Sequence, residues 1–191
     1  MKKTAILAFV FLLAGCGPQY PIATHLKLRI DSLAFGVYSD DSTAALTGHD
    51  ARQDSSVVVY RLQGKPEIQI PNQTAPHIVV TEQLAEGLQQ QGLVFANGSP
   101  VHIQLDLYEL DATVTRPKLL YSTRAKSRLT LTVKNREFSL KKTYDRETNR
   151  DSATRPPVED LENMLNEQLT EIVNQILQDE EIRAAITQQK S

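Results

Sequence analysis

Cysteine is almost missing: Cys16 is the only one among 191 residues. One thiol excludes an internal disulfide framework and a cysteine-built zinc site. Tryptophan is absent, and 8 glycines and 9 prolines are too few for a collagen-like or low-complexity chain. No apolar run approaches the roughly 20 residues that cross a bilayer as a helix. Glycine-rich phosphate loops, G-x-S-x-G and H-E-x-x-H are all lacking. His25, His49, His77 and His102 stand at no helical metal-binding spacing from one another. Asp40, Asp41, His49 and Asp50 supply oxygen and nitrogen donors in one polar stretch, but their spacing fits no calcium loop. The sequence therefore predicts no catalytic residue, no metal site and no cofactor. An apolar fraction of 40 % beside 23 % charged residues still predicts a folded core.

What is present starts with an address. Lys2 and Lys3 precede an apolar run from Ala5 to Ala14, and Leu13-Ala14-Gly15-Cys16 closes it. This is the layout of a secretory signal peptide, and Leu-Ala-Gly-Cys resembles the bacterial lipobox. The resemblance implies cleavage before Cys16, lipidation of its thiol and acylation of the new amino group. Three acyl chains exceed the two signals that stable anchoring needs. Gly17, where an aspartate would signal inner-membrane retention, points to the outer membrane. Residues 1–15 are read as leader, 16–24 as a tether and 25–191 as one periplasmic domain. The nine steps from Cys16 to His25 reach about 30 Å when extended, which keeps the domain near its leaflet.

The mature chain alternates in pattern. His25 to Phe35 places Leu26, Leu28 and Ile30 on one side and Lys27, Arg29 and Asp31 on the other, as in a half-buried strand. Gly36 to Asp54 is polar and reads as a loop. Ser56 to Leu62 is β-branched and reads as a strand, and Pro66 to Pro71 as a short extended piece. Thr74 or Asn72 is the expected cap of a helix with Pro76 in its first turn, stripe residues Val80, Leu84 and Leu88, and Gly92 as its stop. Val101 to Val114 alternates but changes phase near Tyr108-Glu109, which is the signature of a β-bulge. Tyr121 to Val133 and a returning strand marked by Phe138, Leu140 and Tyr144 complete a three-stranded meander. After Pro156-Pro157 a long helix carries Val158, Leu161, Leu165, Leu169, Ile172 and Ile176, and Asp179 caps a short final one. The expected fold class is α+β: an antiparallel sheet of about five strands with two helices on one face, in the order β-β-α-β-β-β-α plus a C-terminal stub.

The lipobox, the strand start Ser99-Pro100-Val101-His102-Ile103-Gln104 after a helix stopping at Gly92, the late capped stub and the D-x-R-x-D run Asp50-Ala51-Arg52-Gln53-Asp54 together resemble the YajG family of bacterial lipoproteins. The resemblance spans nearly the whole chain in element order. It implies a lipid-anchored, periplasm-facing α+β domain and no particular chemistry.

Charge is unevenly spread. Loss of Lys2 and Lys3 takes the formal charge from −2 to −4. Residues 116–150 carry a net +8 and residues 151–191 a net −6. Arg124, Lys126 and Arg128 share one strand face because side chains alternate with period two, and Lys141 on the returning strand can join them. On an open sheet this row attracts anions. Its plainer reading is a solvated face with cross-strand pairs to Glu137, Asp106 or Glu109. Asp50, Arg52 and Asp54 point one way in an extended segment, so Arg52 can sit between two carboxylates, as a recognition spot or as a clamp on the loop. The expected function is a non-catalytic envelope interaction or scaffold module at the outer membrane. Its expected partners are the bilayer, through the anchor, and an envelope protein or anionic envelope component. Nucleic acid is not expected of an exported acidic chain. The alternatives are a carrier of a lipid or other amphipathic ligand and, third, a hydrolytic enzyme.

Overall fold

The computed structural model describes residues 20–31, 35–39, 41–136 and 138–187. The leader, Cys16, Gly17, Asp40 and Glu137 lie outside the described residues. In chain order the elements are β1 (Thr43–Asp50), β2 (Ser56–Arg61), β3 (Ile68–Pro71), α1 (Pro76–Gln90), β4 (Val94–Phe95), β5 (His102–Thr115), β6 (Tyr121–Lys134), β7 (Ser139–Ser152), α2 (Val158–Gln178) and α3 (Glu180–Thr187). The strands form one seven-stranded mixed sheet, not an antiparallel sheet of five. β5, β6 and β7 are the predicted antiparallel meander. The difference lies on the other edge of β5, where β1 and β2 both pair parallel to it.

Ala45 to Asp50 of β1 run beside His102 to Leu107, and Val58 to Arg61 of β2 run beside Ala112 to Thr115. The two short strands thus share one edge of β5 end to end. Between them β5 skips register at Leu107/Glu109 against β6, the bulge that the change of phase near Tyr108 predicted. β4 extends the sheet beyond β1, and β3 beyond β2.

β1 corrects the loop expected over Gly36 to Asp54. Its sequence, TAALTGHD, offers only two apolar residues larger than glycine on the buried side, Ala44 and Leu46, too few for an alternating signal. Its Gly48 explains the weakness. A Cβ there would lie 2.0 Å from Thr81 Oγ1 and 3.1 Å from Thr81 Cβ. The strand must be bare where α1 crosses it. α1 itself starts at Pro76 with Ala75 as N-cap and no side-chain cap. The expected cap Asn72 is engaged elsewhere: its Oδ1 accepts from the Leu26 amide at 3.0 Å and from Thr24 Oγ1 at 2.8 Å. Gly92 takes a left-handed φ of 102° after the helix, as its position predicted.

His25 to Asp31 is extended but is not a strand. The amides of His25, Lys27, Arg29 and Asp31 donate to side chains of Glu162, Asn166, Thr170 and Asn174 on α2, at 2.8–3.2 Å. Two extended residues advance about 6.6 Å and four helical residues about 6 Å, so every second amide meets every fourth helical side chain. The alternation still does its predicted packing: Leu26 is buried, and Leu28 and Ile30 pack on the core from the edge.

The helices cover one sheet face. Leu161, Leu165, Leu169, Ile172 and Ile176 of α2 and Val80, Leu84 and Leu88 of α1 are buried against Ile103, Leu105, Leu107, Leu129, Leu131 and Val133. Polar residues also sit inside this layer, and Gln168 is the clearest case of a paired one. Gln168 accepts from Ser127 Oγ at 2.7 Å and donates to Thr148 Oγ1 and the Ala125 carbonyl, so its amide is satisfied across three elements. Asp179 caps α3 as predicted, accepting from the amides of Glu181 and Ile182, and also holds Lys142 and Tyr144 of β7. Among the described residues no helix is long and apolar enough to cross a membrane.

Gly48→Ala is expected to lower stability by about 1–3 kcal/mol through overpacking. Thr81→Ala added to it should return most of the loss. Urea denaturation of the two variants checks this, and an unchanged midpoint for Gly48→Ala would refute the close crossing.

Candidate functional site

The uncovered face of the sheet is polar, and its charges follow from the register. Arg124, Lys126 and Arg128 of β6 stand there as expected, in the middle of the β5–β6–β7 meander. Lys126 lies between Asp111 and Glu147 on the flanking strands, and Arg128 between Glu109 and Asp145. Arg124 forks onto Glu147, with Nε and Nη2 each 2.9 Å from a carboxylate oxygen. That fork pulls the Glu147 carboxyl down to about 2. Arg128 Nη1 lies 3.3 Å from Glu109 Oε1. The basic row is thus interleaved with acids contributed by β5 and β7. Pairing with Glu109 matches the solvated-face expectation, and Glu147 is a partner that the sequence pattern did not single out.

Asp50, Arg52 and Asp54 lie where the chain passes from β1 to β2, opposite the bulge. Arg52 grips Asp50 with Nε and Nη2, each at 2.8 Å from a carboxylate oxygen. Its Nη1 reaches the Leu110 carbonyl at 3.4 Å, and its side chain is only 4 % exposed. The Asp50 carboxyl is held below its ordinary value, chiefly by the Arg52 hydrogen bonds. Asp54 does not complete a sandwich around the guanidinium. Its Oδ1 instead accepts from the Ser56 amide at 2.9 Å, which turns the chain into β2 and holds its own carboxyl low. The expectation of Arg52 between two carboxylates is therefore corrected to a bidentate pair with Asp50. His77 Nδ1, buried at the start of α1, is 3.8 Å from Asp50 Oδ2, too far for a hydrogen bond.

The two sets of residues meet in one place. An open groove of about 700 Å³ runs over the bulge and is lined by Arg52, Asp54, Tyr108, Arg128, Lys141 and Thr143, among others. Asp50, Arg124 and Lys126 are not part of its lining. Tyr108 is the residue that sequence reasoning undervalued. As the extra residue of the bulge it is 42 % exposed and turned toward the groove, between neighbours whose side chains keep the sheet's alternation. The phase change near Tyr108 was the available signal, because a bulge re-aims a side chain. Thr130 and Thr143, hydroxyls 2.9 Å apart on β6 and β7, floor the groove. Lys141 makes no ion pair among the described residues. Among the described residues no group of three or more His, Cys, Asp or Glu side chains could hold a metal ion.

With this geometry in place, three comparisons bear on the chain. The model of a family described as uncharacterized lipoprotein matches residues 33–187. No curated protein matches. Among solved structures, a DUF330 protein from Xanthomonas campestris is similar at TM-score 0.58 and 11 % identity, covering 88 % of this chain and 97 % of that one. That likeness is one of fold. A putative neuraminyllactose-binding hemagglutinin homolog from Helicobacter pylori is similar at TM-score 0.48 and 8 % identity, over 86 % of this chain and 97 % of its own.

Asp50→Ala should destabilise the protein by about 2–3 kcal/mol at pH 7, because it leaves the buried Arg52 guanidinium unpaired. A carboxyl with a lowered folded-state pKa stabilises above its unfolded value near 4 and loses that contribution as pH falls through the folded value. The gap between variant and parent should therefore shrink below about pH 4. Urea denaturation at pH 7 and pH 3 measures both, and a gap that does not narrow would refute the pairing.

Proposed function

We propose a function from the premise that the chain belongs to the uncharacterised, YajG-like lipoprotein family: a lipid-anchored envelope protein, held at the outer membrane through Cys16, whose groove over the β5 bulge binds another envelope protein without catalysis. The observation that carries this reading is the convergence of Arg52, Asp54, Tyr108, Arg128 and Lys141 in one open, polar groove. Its chemistry suits a peptide surface more than a simple polyanion. Most of its cations already face carboxylates, so the long-range attraction for phosphate-rich surfaces is muted. What remains for a partner is specific: an exposed tyrosine as an amphipathic anchor, two threonine hydroxyls and the Lys141 ammonium. A carboxylate-bearing loop or strand edge would satisfy all three.

The reading of a lipid carrier lacks a comparable observation. The space between helices and sheet is filled by the leucine and isoleucine stripes already described, whereas a carrier needs an apolar cavity there. Arg124 and Lys126 contribute on this account to the solubility and register of the sheet beside the groove.

In-cell photocrosslinking tests the surface. A benzoyl-phenylalanine at Thr113 or Thr143 should give a discrete protein adduct, and one at Glu167 on α2 should not. Tyr108→Ala in the same chains should weaken the adduct about tenfold or more, as for a central interface residue, with an unchanged circular dichroism spectrum. An adduct insensitive to Tyr108→Ala, or none from the groove, would refute the assignment.

A further inference from the structure

We propose that the tip of the β5–β6 hairpin, residues 116–120, docks into the headgroup zone of the phospholipid leaflet that carries the Cys16 anchor. This rests on the lipid-anchor reading above. The tip reads Arg116-Pro117-Lys118-Leu119-Leu120, with none of the Gly, Asn or Asp residues that a solvent-facing hairpin turn favours. Leu119 is 82 % exposed and Leu120 49 %. Two adjacent leucines flanked by cations on a protruding loop match interfacial insertion: the apolar groups enter the boundary, and the long basic side chains stay at phosphate level.

The placement of the N-terminal segment selects this occupant. Tyr20 packs edge-on against Tyr60 with ring centroids 5.0 Å apart, and Arg155 Nη1 donates to the Tyr20 hydroxyl at 2.8 Å. Tyr60 is the register partner of Val114, and Arg61 that of Thr115, the last residue of β5. Tyr20 and the hairpin tip therefore lie at the same end of the sheet. Only Gly17, Pro18 and Gln19 separate Tyr20 from Cys16, a reach of about 14 Å at most. The anchor is thus confined to the neighbourhood of the tip. Ile22, 94 % exposed, follows Tyr20 on the same stretch of chain.

Charge agrees with an anionic leaflet. Arg116 lies 4.8 Å over the Tyr121 ring, Lys118 follows it, and Lys65 sits in the adjoining turn between β2 and β3. The acids at this end are Glu67, in the same turn as Lys65 and paired with Arg61, Asp151, opposite Ser122 one step inside the hairpin, and Glu159 and Asp160 in the first turn of α2, whereas the tip itself carries only the cations Arg116 and Lys118. A second copy of the chain is the poorer occupant, because two leucine side chains fall far short of the roughly 800 Å² per partner that a stable interface buries.

The chain has no tryptophan, so Leu119→Trp introduces a unique fluorophore at an exposed position. The test uses the full acylated protein in phosphatidylethanolamine–phosphatidylglycerol vesicles, with Phe138→Trp at the opposite end of the meander as control. Flotation of the vesicles reads the anchor. Emission at position 119 should shift to the blue on reconstitution and fall when brominated phospholipid replaces its parent, while emission at 138 stays unquenched. Arg116→Glu with Lys118→Glu should reverse the shift without ending flotation. No quenching at 119 with flotation retained overturns the tip and leaves the anchor standing. No quenching with flotation lost overturns both. A blue shift that follows protein concentration and not lipid assigns the tip to a second copy, and likewise overturns the proposal.

Discussion

Strand β5 is hydrogen-bonded along both edges, and on one edge it must serve two different strands. A regular strand of fourteen residues could pair with β1 or with β2 in phase, but the chain between them, Ala51 to Ser55, has to leave the sheet and come back. The bulge at Tyr108 is placed opposite that departure. The buried Arg52 then closes the gap, tying Asp50 at the end of β1 to the Leu110 carbonyl just past the bulge. Three consequences share this origin. The sheet is mixed, the groove exists because a strand edge is interrupted, and Tyr108 and Glu109 face the open side in succession.

This explains why the meander and the helices could be read from the sequence and the mixed edge could not. The meander strands are long and locally connected, β5 and β6 carry alternating aliphatics, and the α2 stripe repeats through five turns. β1 has little to alternate, because its middle must be bare beneath α1 and its end is given to polar residues of the clamp. The stretch from His25 to Asp31 shows a different limit. Its period of two correctly gave the buried side, yet period says nothing of what the backbone pairs with. Glu162, Asn166, Thr170 and Asn174 look like an ordinary solvent stripe until the strap is laid along them.

The candidate site shows the same division. Period two was enough to put Arg124, Lys126 and Arg128 on one face. Whether that face is a positive surface depends on which residues of β5 and β7 stand opposite, and register shifted by one bulged residue decides that. Were β5 to alternate regularly through Tyr108, the tyrosine would stand opposite Arg128 and Glu109 would turn to the apolar side. The bulge therefore sets the electrostatics of the face as well as its shape. Likewise Asp54 was grouped with Arg52 on spacing alone, whereas the turn into β2 takes its carboxylate for a backbone amide.

Anchor, strap and groove can be placed on one axis. The strap runs alongside α2 in the same direction, from the end where Tyr20 meets Tyr60 toward the end where Asp31 meets Asn174. β5 runs the opposite way and finishes beside Tyr20. Tyr108 lies seven residues before Thr115, which is about 23 Å along the strand. With the hairpin tip at headgroup level, the groove stands roughly that far above the same leaflet. A fixed height is a selective constraint. On the proposed anchoring at Cys16, that height would admit partners that project from the same membrane to about that distance, because so short a tether would leave the domain little freedom to bend toward anything farther away.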